Sequence, residues 1–259
     1  MSRNALQLRR GELTDAAIGG GVAIVPTGSL EQHGAHLPVG TDSLLAEAVS
    51  LGAADVATDR GVDTVVFPAI WTGFSPHHVP LGATVTISKE TLLALLDDVC
   101  ESIIRMGFRN VLLVNGHGGN RPAVSLAAGD LGTRQDEADV GGLSYNTLAA
   151  DLFSELREGD SGSAYHAGEF ETALMLYLHG AAVEMSAATD EPESRLTPYS
   201  GRDMFDGGPL GMRRTYDRLT EDGVRGEPTL ATPEIGEKLF EELTDRLADL
   251  VVEFADLGE

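Results

Sequence analysis

Four short apolar runs, GVAIVPT (21–27), VDTVVFPAI (62–70), NVLLVNG (110–116) and VGGLSYN (140–146), recur along the chain with a helical pattern between each pair. The intervening segments are SLLAEAVSLGAADVATD (43–59), SKETLLALLDDVCESIIRMGF (88–108) and NRPAVSLAAGDLGTR (120–134). Runs apolar on successive residues are strands buried on both faces, and a strand–helix–strand order joins neighbours in parallel. The pattern therefore predicts an α/β fold: a mainly parallel sheet covered by helices on both sides. EFETALMLYL (169–178) and PEIGEKLFEELTDRLADLVVEF (233–254) read as further helices, with Pro233 in a first turn. Ser88 and Thr91 mark a helix start. With no internal repeat and no Pro/Ser-rich linker, residues 1–259 are expected to form one domain. The Gly- and Pro-rich TPYSGRDMFDGGPLG (197–211) reads as an irregular excursion, either a surface loop or a subunit contact.

In parallel sheets, sites form where strands end and loops begin. EQHGAHLPVGTD follows the first run, WTGFSPHH the second and NGHGGN the third, and six of the seven histidines fall in these loops or just before EFETALML. Glu31 and His33, two apart, project to one side of an extended segment. A carboxylate beside an imidazole suits a borderline divalent cation such as zinc or manganese. Asp42, at the start of the next helix, is placed to bridge two ions, although an acid there also serves as an N-cap. His117, between glycines, and the segment from His166 to Glu171 (HAGEFE) add imidazoles and carboxylates. Together, at successive strand ends, these residues predict a metal site.

Composition narrows the partners. Eighteen Lys+Arg against 41 Asp+Glu give a formal net charge of -23, which repels nucleic acid and anionic lipid. The acids are dispersed, as in a halophilic protein kept soluble by high salt. No run approaches a membrane span and the first residues lack the apolar centre of a signal peptide, so a cytoplasmic protein is expected. The lone cysteine, Cys100, excludes an internal disulfide and reads as a small core residue.

PTGSLEQHGAHLPVGTD, VNGHGGN, HAGEFETALML and GVRGEPTLATPEIGEKLF resemble the creatininase (creatinine amidohydrolase) family at four separated places in the expected order. The resemblance implies a three-layer α/β/α sandwich with a dinuclear metal centre of zinc, manganese or iron. It also implies homo-oligomers, hexamers among them. By that likeness Glu31, His33, Asp42 and His117 match metal ligands, with Asp42 the bridge. Creatininase has a glutamate ligand where this chain has Gly119. Glu169 is therefore expected to be the fifth ligand, and Glu171 to orient ligands or handle protons. Creatininase surrounds its cyclic substrate with tryptophans; this chain has only Trp71, on another loop, so creatinine is not the expected substrate.

The expected activity is metal-dependent hydrolysis of an amide or other C–N bond in a small molecule, by a metal-activated water. His166, as an ordinary imidazole, is the expected proton shuttle to the leaving nitrogen. His36, Ser75 and His78 are expected on the substrate side, and Arg121 is a basic anchor for a phosphate-bearing substrate. The resemblance carries two narrower activities: deformylation of a formylaminopyrimidine nucleotide in flavin and deazaflavin synthesis, and trimming of the mycofactocin precursor peptide. A non-catalytic metal-binding scaffold is the alternative from another class.

Overall fold

A computed structural model describes residues 3–192, 196–205 and 208–257. The predicted parallel sheet is present, with four strands: β1 (Val22–Thr27), β2 (Thr64–Val66), β3 (Asn110–Asn115) and β4 (Asp139–Ser144). Their spatial order is β2-β1-β3-β4, all parallel. Every residue of β1 and β3 is buried, which is why these two runs are continuously apolar. Pro26, inside β1, removes no ladder bond. Its carbonyl, and hence its nitrogen, faces the β2 side, where strand pairing has already ended at Ile24.

Crossover helices set the layers. Helix α1 (Arg10–Ile18) precedes the sheet, α2 (Thr41–Asp59) joins β1 to β2, α3 (Lys89–Arg105) joins β2 to β3, and α4 (Arg121–Arg134) joins β3 to β4. Beyond β4 come α5 (Ala150–Leu156), β5 (Ala164–His166), α6 (Glu169–His179), β6 (Arg225–Gly226) and α7 (Pro233–Asp256). Two apolar cores result. One packs Leu45, Val49 and Ala53 of α2 with Phe170 and Leu174 of α6 and Leu239, Leu243 and Leu247 of α7. The other packs α1, α3 and α4 on the opposite face of the sheet. This is the three-layer α/β/α arrangement, and Cys100 lies wholly inside the second core, where burial pushes its thiol up to about 12.

The caps follow from the sequence. Ser88 accepts from the Thr91 amide at the start of α3, and Thr232 accepts from Ile235 at the start of α7, with Pro233 next to it. Among the described residues no helix is long and apolar enough to cross a membrane. Strands β5 and β6 form a separate antiparallel pair that the hydrophobic pattern does not announce. The excursion at 197–211 is not a mere surface loop: Gly201, Asp203, Met204, Gly208, Leu210 and Gly211 line the cavity described next, while residues 206 and 207 lie outside the described residues.

Because β2 and β3 flank β1 on opposite sides, the crossover direction reverses between β1 and β3. A cleft opens at such a point, beyond the carboxyl ends of the strands. The loop after β1 carries Glu31 and His33, the loop after β3 carries His117, and the first turn of α2 carries Asp42.

Candidate metal centre

Glu31, His33, Asp42, His117, His166 and Glu171 converge at this cleft, all buried. Their potential ligand atoms form three close groups: Glu31–Asp42–His117, His33–Asp42–Glu171 and Glu31–His33–His166. The first two share Asp42, so one aspartate stands between two sets, each of two carboxylates and an imidazole. His33 Nε2 is 3.3 Å from one Asp42 oxygen and His117 Nδ1 is 3.0 Å from the other.

Outer hydrogen bonds aim the imidazoles. His33 donates Nδ1–H to the Glu31 carbonyl (3.1 Å), which leaves Nε2 facing Asp42. His117 Nε2 contacts Ser75 Oγ (3.1 Å) and the Phe74 carbonyl (3.3 Å), leaving Nδ1 toward Glu31 and Asp42. Such supporting bonds fix the tautomer and orientation that ligation needs. The loop itself is pinned: the Glu31 amide donates to the Val39 carbonyl, and Gln32 Nε2 donates to the Gly223 carbonyl.

Both Glu31 carboxylate oxygens, Asp42 Oδ2 and His33 Nε2 are fully buried and none makes a well-aligned hydrogen bond; Glu31 Oε1, Asp42 Oδ2 and His33 Nε2 instead make ion-pair contacts of 3.0–3.3 Å within the cluster. Buried polar atoms are ordinarily satisfied, and leaving a charged one unmet is costly. Carboxylates and imidazoles gathered this closely, with only one another for neighbours, form a donor set that a cation between them would satisfy. The donor set, carboxylate oxygen and imidazole nitrogen, suits zinc, manganese or iron. The residues therefore fit one or two divalent ions.

Electrostatics say the same. Burial pulls the His33 and His117 imidazoles down, but the carboxylates overcome it: Asp42 with Glu171 and Glu31 hold His33 up to about 9, and Glu31 with Asp42 hold His117 up to about 10. Burial raises Asp42, yet the two imidazoliums bring it well below the usual carboxylate range. Burial, with the Asp42 charge adding, lifts Glu171 to about 7 against the pull of His33. In the metal-free protein at pH 7 the imidazoles thus stand in as the counter-charges. A bound cation must displace their protons, so metal affinity is expected to rise with pH, by about tenfold per pH unit for each proton released, up to pH 9–10. Calorimetry of zinc binding in buffers of different ionisation enthalpy measures that proton release directly. The metal-free fold follows the opposite sign: the contribution of these raised imidazoles is complete below pH 6.5 and is lost as pH rises through 9 to 10.

The fifth position corrects the expectation. Glu169 does not face the centre; its carboxylate accepts the backbone N–H groups of Glu158 (2.7 Å) and Gly159 (3.3 Å), tying the turn after α5 to the start of α6. Glu171 faces inward instead, with one oxygen held by the Ala167 amide at 2.6 Å. Ala167 itself adopts φ +50°, a strained conformation for a residue with a Cβ, in the turn that sets the entry of α6. Nor can position 119 supply a side chain, because a Cβ there would lie 2.1 Å from His117 Nε2.

Other expected residues divide. His78 lines the cavity with Nε2 3.2 Å from Glu31, and Arg121 lines it too. His36 and Ser75 do not: His36 bonds Thr172 Oγ1 behind the centre, and Ser75 supports His117. His166 is not an ordinary imidazole. Burial, then the charge on His33, hold it well below its usual range, so it is neutral; Nε2–H donates to the Gln32 carbonyl (2.8 Å) and Nδ1 lies on the Glu31 side. The sequence reading missed Tyr165, Asn146, Arg213 and Tyr216, which complete the cavity wall. These lie outside the glycine-punctuated loops, and no local spacing marks them.

Fold and centre define a class: a layered α/β/α protein built around a candidate dinuclear metal centre at the topological switch point. Comparison with known proteins then fixes the family. The creatininase family, described as creatinine amidohydrolase, matches residues 7–251. The chain is 32% identical over 236 residues to the mycofactocin precursor peptide peptidase of Mycolicibacterium smegmatis, covering 89% of this chain and 84% of that protein. It is 30% identical over 267 residues to the creatinine amidohydrolase of Pseudomonas putida, covering 94% and 95%. The crystal structure of a creatinine amidohydrolase-like protein from Bacteroides fragilis superposes with a TM-score of 0.83 at 26% identity, over 98% of this chain and 96% of that one. Two creatininase structures, a point variant of Zn–Zn type and an Mn form, each give a TM-score of 0.80 at 27% identity over 98% of both chains. The chain belongs to the creatininase family and is a hydrolytic enzyme of it.

Proposed function

We propose that the protein is a metal-dependent amidohydrolase that cleaves an amide or other C–N bond with water. The observation that carries this reading is the pair of half-sites sharing Asp42 on a cavity of about 520 Å³, a volume that suits a small molecule or the end of a peptide. Glu31, Asp42 and His117 would hold one divalent ion; His33, Asp42 and Glu171 would hold the other. Bound there, zinc, manganese or iron supplies Lewis acidity and lowers the pKa of water. The chain's own part is to orient and to move protons. His166, neutral and tethered through Nε2, offers Nδ1 as the acceptor of a proton bound for the leaving nitrogen. The rings of His78 and Tyr216, tilted against each other with centroids 4.1 Å apart, line this side of the cavity.

Creatinine itself is disfavoured as substrate: Trp71 is about half exposed and does not line the cavity. A peptide end is the second reading, supported by the 32% identity to the mycofactocin precursor peptide peptidase. Zinc- or manganese-reloaded protein incubated with formamides, cyclic amides and short peptides tests both readings. Release of amine supports the proposal, and bound metal with no hydrolysis of any of them would leave a non-catalytic scaffold. Assembly as a homo-oligomer, a hexamer by expectation, is checked by light scattering.

From the charge balance alone we further propose that the protein works in a salt-rich cell interior. With 41 acids against 18 cationic side chains, self-repulsion opposes the compact state and weakens as the Debye length falls to about 3 Å at molar salt. The melting temperature is expected to rise steadily between dilute buffer and molar KCl, and a flat response would remove the halophilic assignment.

A further inference from the structure

Two guanidinium groups face the cavity of the metal centre, and among the described residues neither has a carboxylate partner. Arg121, in the first turn of α4, donates to Asn146 Oδ1 at 3.1 Å; its Nε is buried with no hydrogen-bond partner. Arg213 donates to the Gly118 carbonyl at 2.6 Å and lies 3.2 Å from His77 Nε2. Asp203, which also lines the cavity, is committed to Arg157 at 2.9 Å.

With a net charge of -23, carboxylates outnumber cationic side chains more than two to one, and Arg60, Arg134 and Arg246 each engage at least two of them. Here two like charges share one wall, close enough that Arg213 and burial together make the Arg121 cation harder to hold. The wall also includes Gly118, Gly119 and the opening residues of α4, the positive end of a 14-residue helix. Guanidinium forks match the planar or tetrahedral oxygens of carboxylate and phosphate. The contact from Arg213 to Gly118 sets this cationic wall next to His117, and therefore beside the reacting bond.

We propose that Arg121 and Arg213 form an oxyanion-binding subsite, so that the substrate is an amide carrying a carboxylate or phosphate a few bonds from the C–N bond to be cleaved. The proposal rests on the hydrolytic reading of the same centre, and the two can fail separately.

The test uses the full-length protein reloaded with zinc, at constant ionic strength, and two matched probe pairs. N-acetylglycine is set against neutral N-acetylglycinamide, and N-acetylethanolamine phosphate against neutral N-acetylethanolamine. Binding is read by calorimetry, and hydrolysis in parallel by acetate release. The wild type is expected to bind the anionic member of at least one pair ten-fold or more tightly than its neutral twin; the favoured pair tells carboxylate from phosphate. In the double variant Arg121→Gln/Arg213→Gln that preference should fall to near unity with zinc content unchanged, and Arg121→Lys/Arg213→Lys should restore part of it. Equal binding within both pairs, no binding of either anion, or a preference that survives the double glutamine variant would overturn the subsite. The last result would mean that the anion sits on the metal. Discrimination without hydrolysis of any probe leaves the subsite standing and counts against the enzymatic reading; hydrolysis without discrimination does the reverse.

Discussion

Replacing Asp42 with alanine is expected to take the reloaded protein from two bound ions per chain to none, and hydrolysis to background. Each oxygen of Asp42 faces a different imidazole, His33 at 3.3 Å and His117 at 3.0 Å, so one substitution removes a ligand from both half-sites. The loss should exceed the roughly ten- to hundredfold that follows removal of a supporting outer residue, because charge and a coordination bond disappear together. Asp42→Asn keeps the shape and loses only the charge; it should fold, bind metal weakly, and let the His33 and His117 imidazoles fall from their raised values. Elemental analysis with histidine NMR titration checks both variants. Stoichiometric metal in Asp42→Ala would place the ligands elsewhere.

The second large effect separates two acids in one helical turn. Glu171→Ala should lose the ion between His33 and Asp42 while the chain remains folded. Glu169→Ala should do the opposite. Its carboxylate accepts from the part-buried amides of Glu158 and Gly159, and hydrogen bonds to a charged group contribute about 1.5–3 kcal/mol. Metal content should then stay at the wild-type value while the melting temperature falls by about 2–4 °C for each kcal/mol lost. Metal loss in Glu169→Ala with retention in Glu171→Ala would reverse the assignment.

The two glutamates also show where sequence stops informing. The strands were legible because β1 and β3 are buried on both faces, which demands unbroken apolar runs. The β1 loop was legible because Glu31 and His33 share a side of an extended segment and Asp42 opens the next helix. Glu169 and Glu171, by contrast, lie two residues apart on a helix and so point about 200° apart. Which one faces the centre depends on the rotation of α6 about its axis, and tertiary packing sets that. A Cβ at Gly236 would meet the Ala173 carbonyl at 2.0 Å, so α7 approaches α6 backbone to backbone and locks its rotation. His36 misled for a similar reason. Gly34, at φ +66°, turns the chain and sends that imidazole behind the centre to Thr172. Arg213 had no signal of its own, because the stretch from 197 onward has no periodicity, and only the folded chain brings it over Gly118.

The most direct test is an anomalous-scattering map from crystals of the protein loaded with manganese or zinc. The account predicts two peaks on either side of Asp42, one within coordination distance of Glu31 and His117, the other of His33 and Glu171. An absence of peaks at this cluster after loading, or a peak coordinated by Glu169, would contradict it.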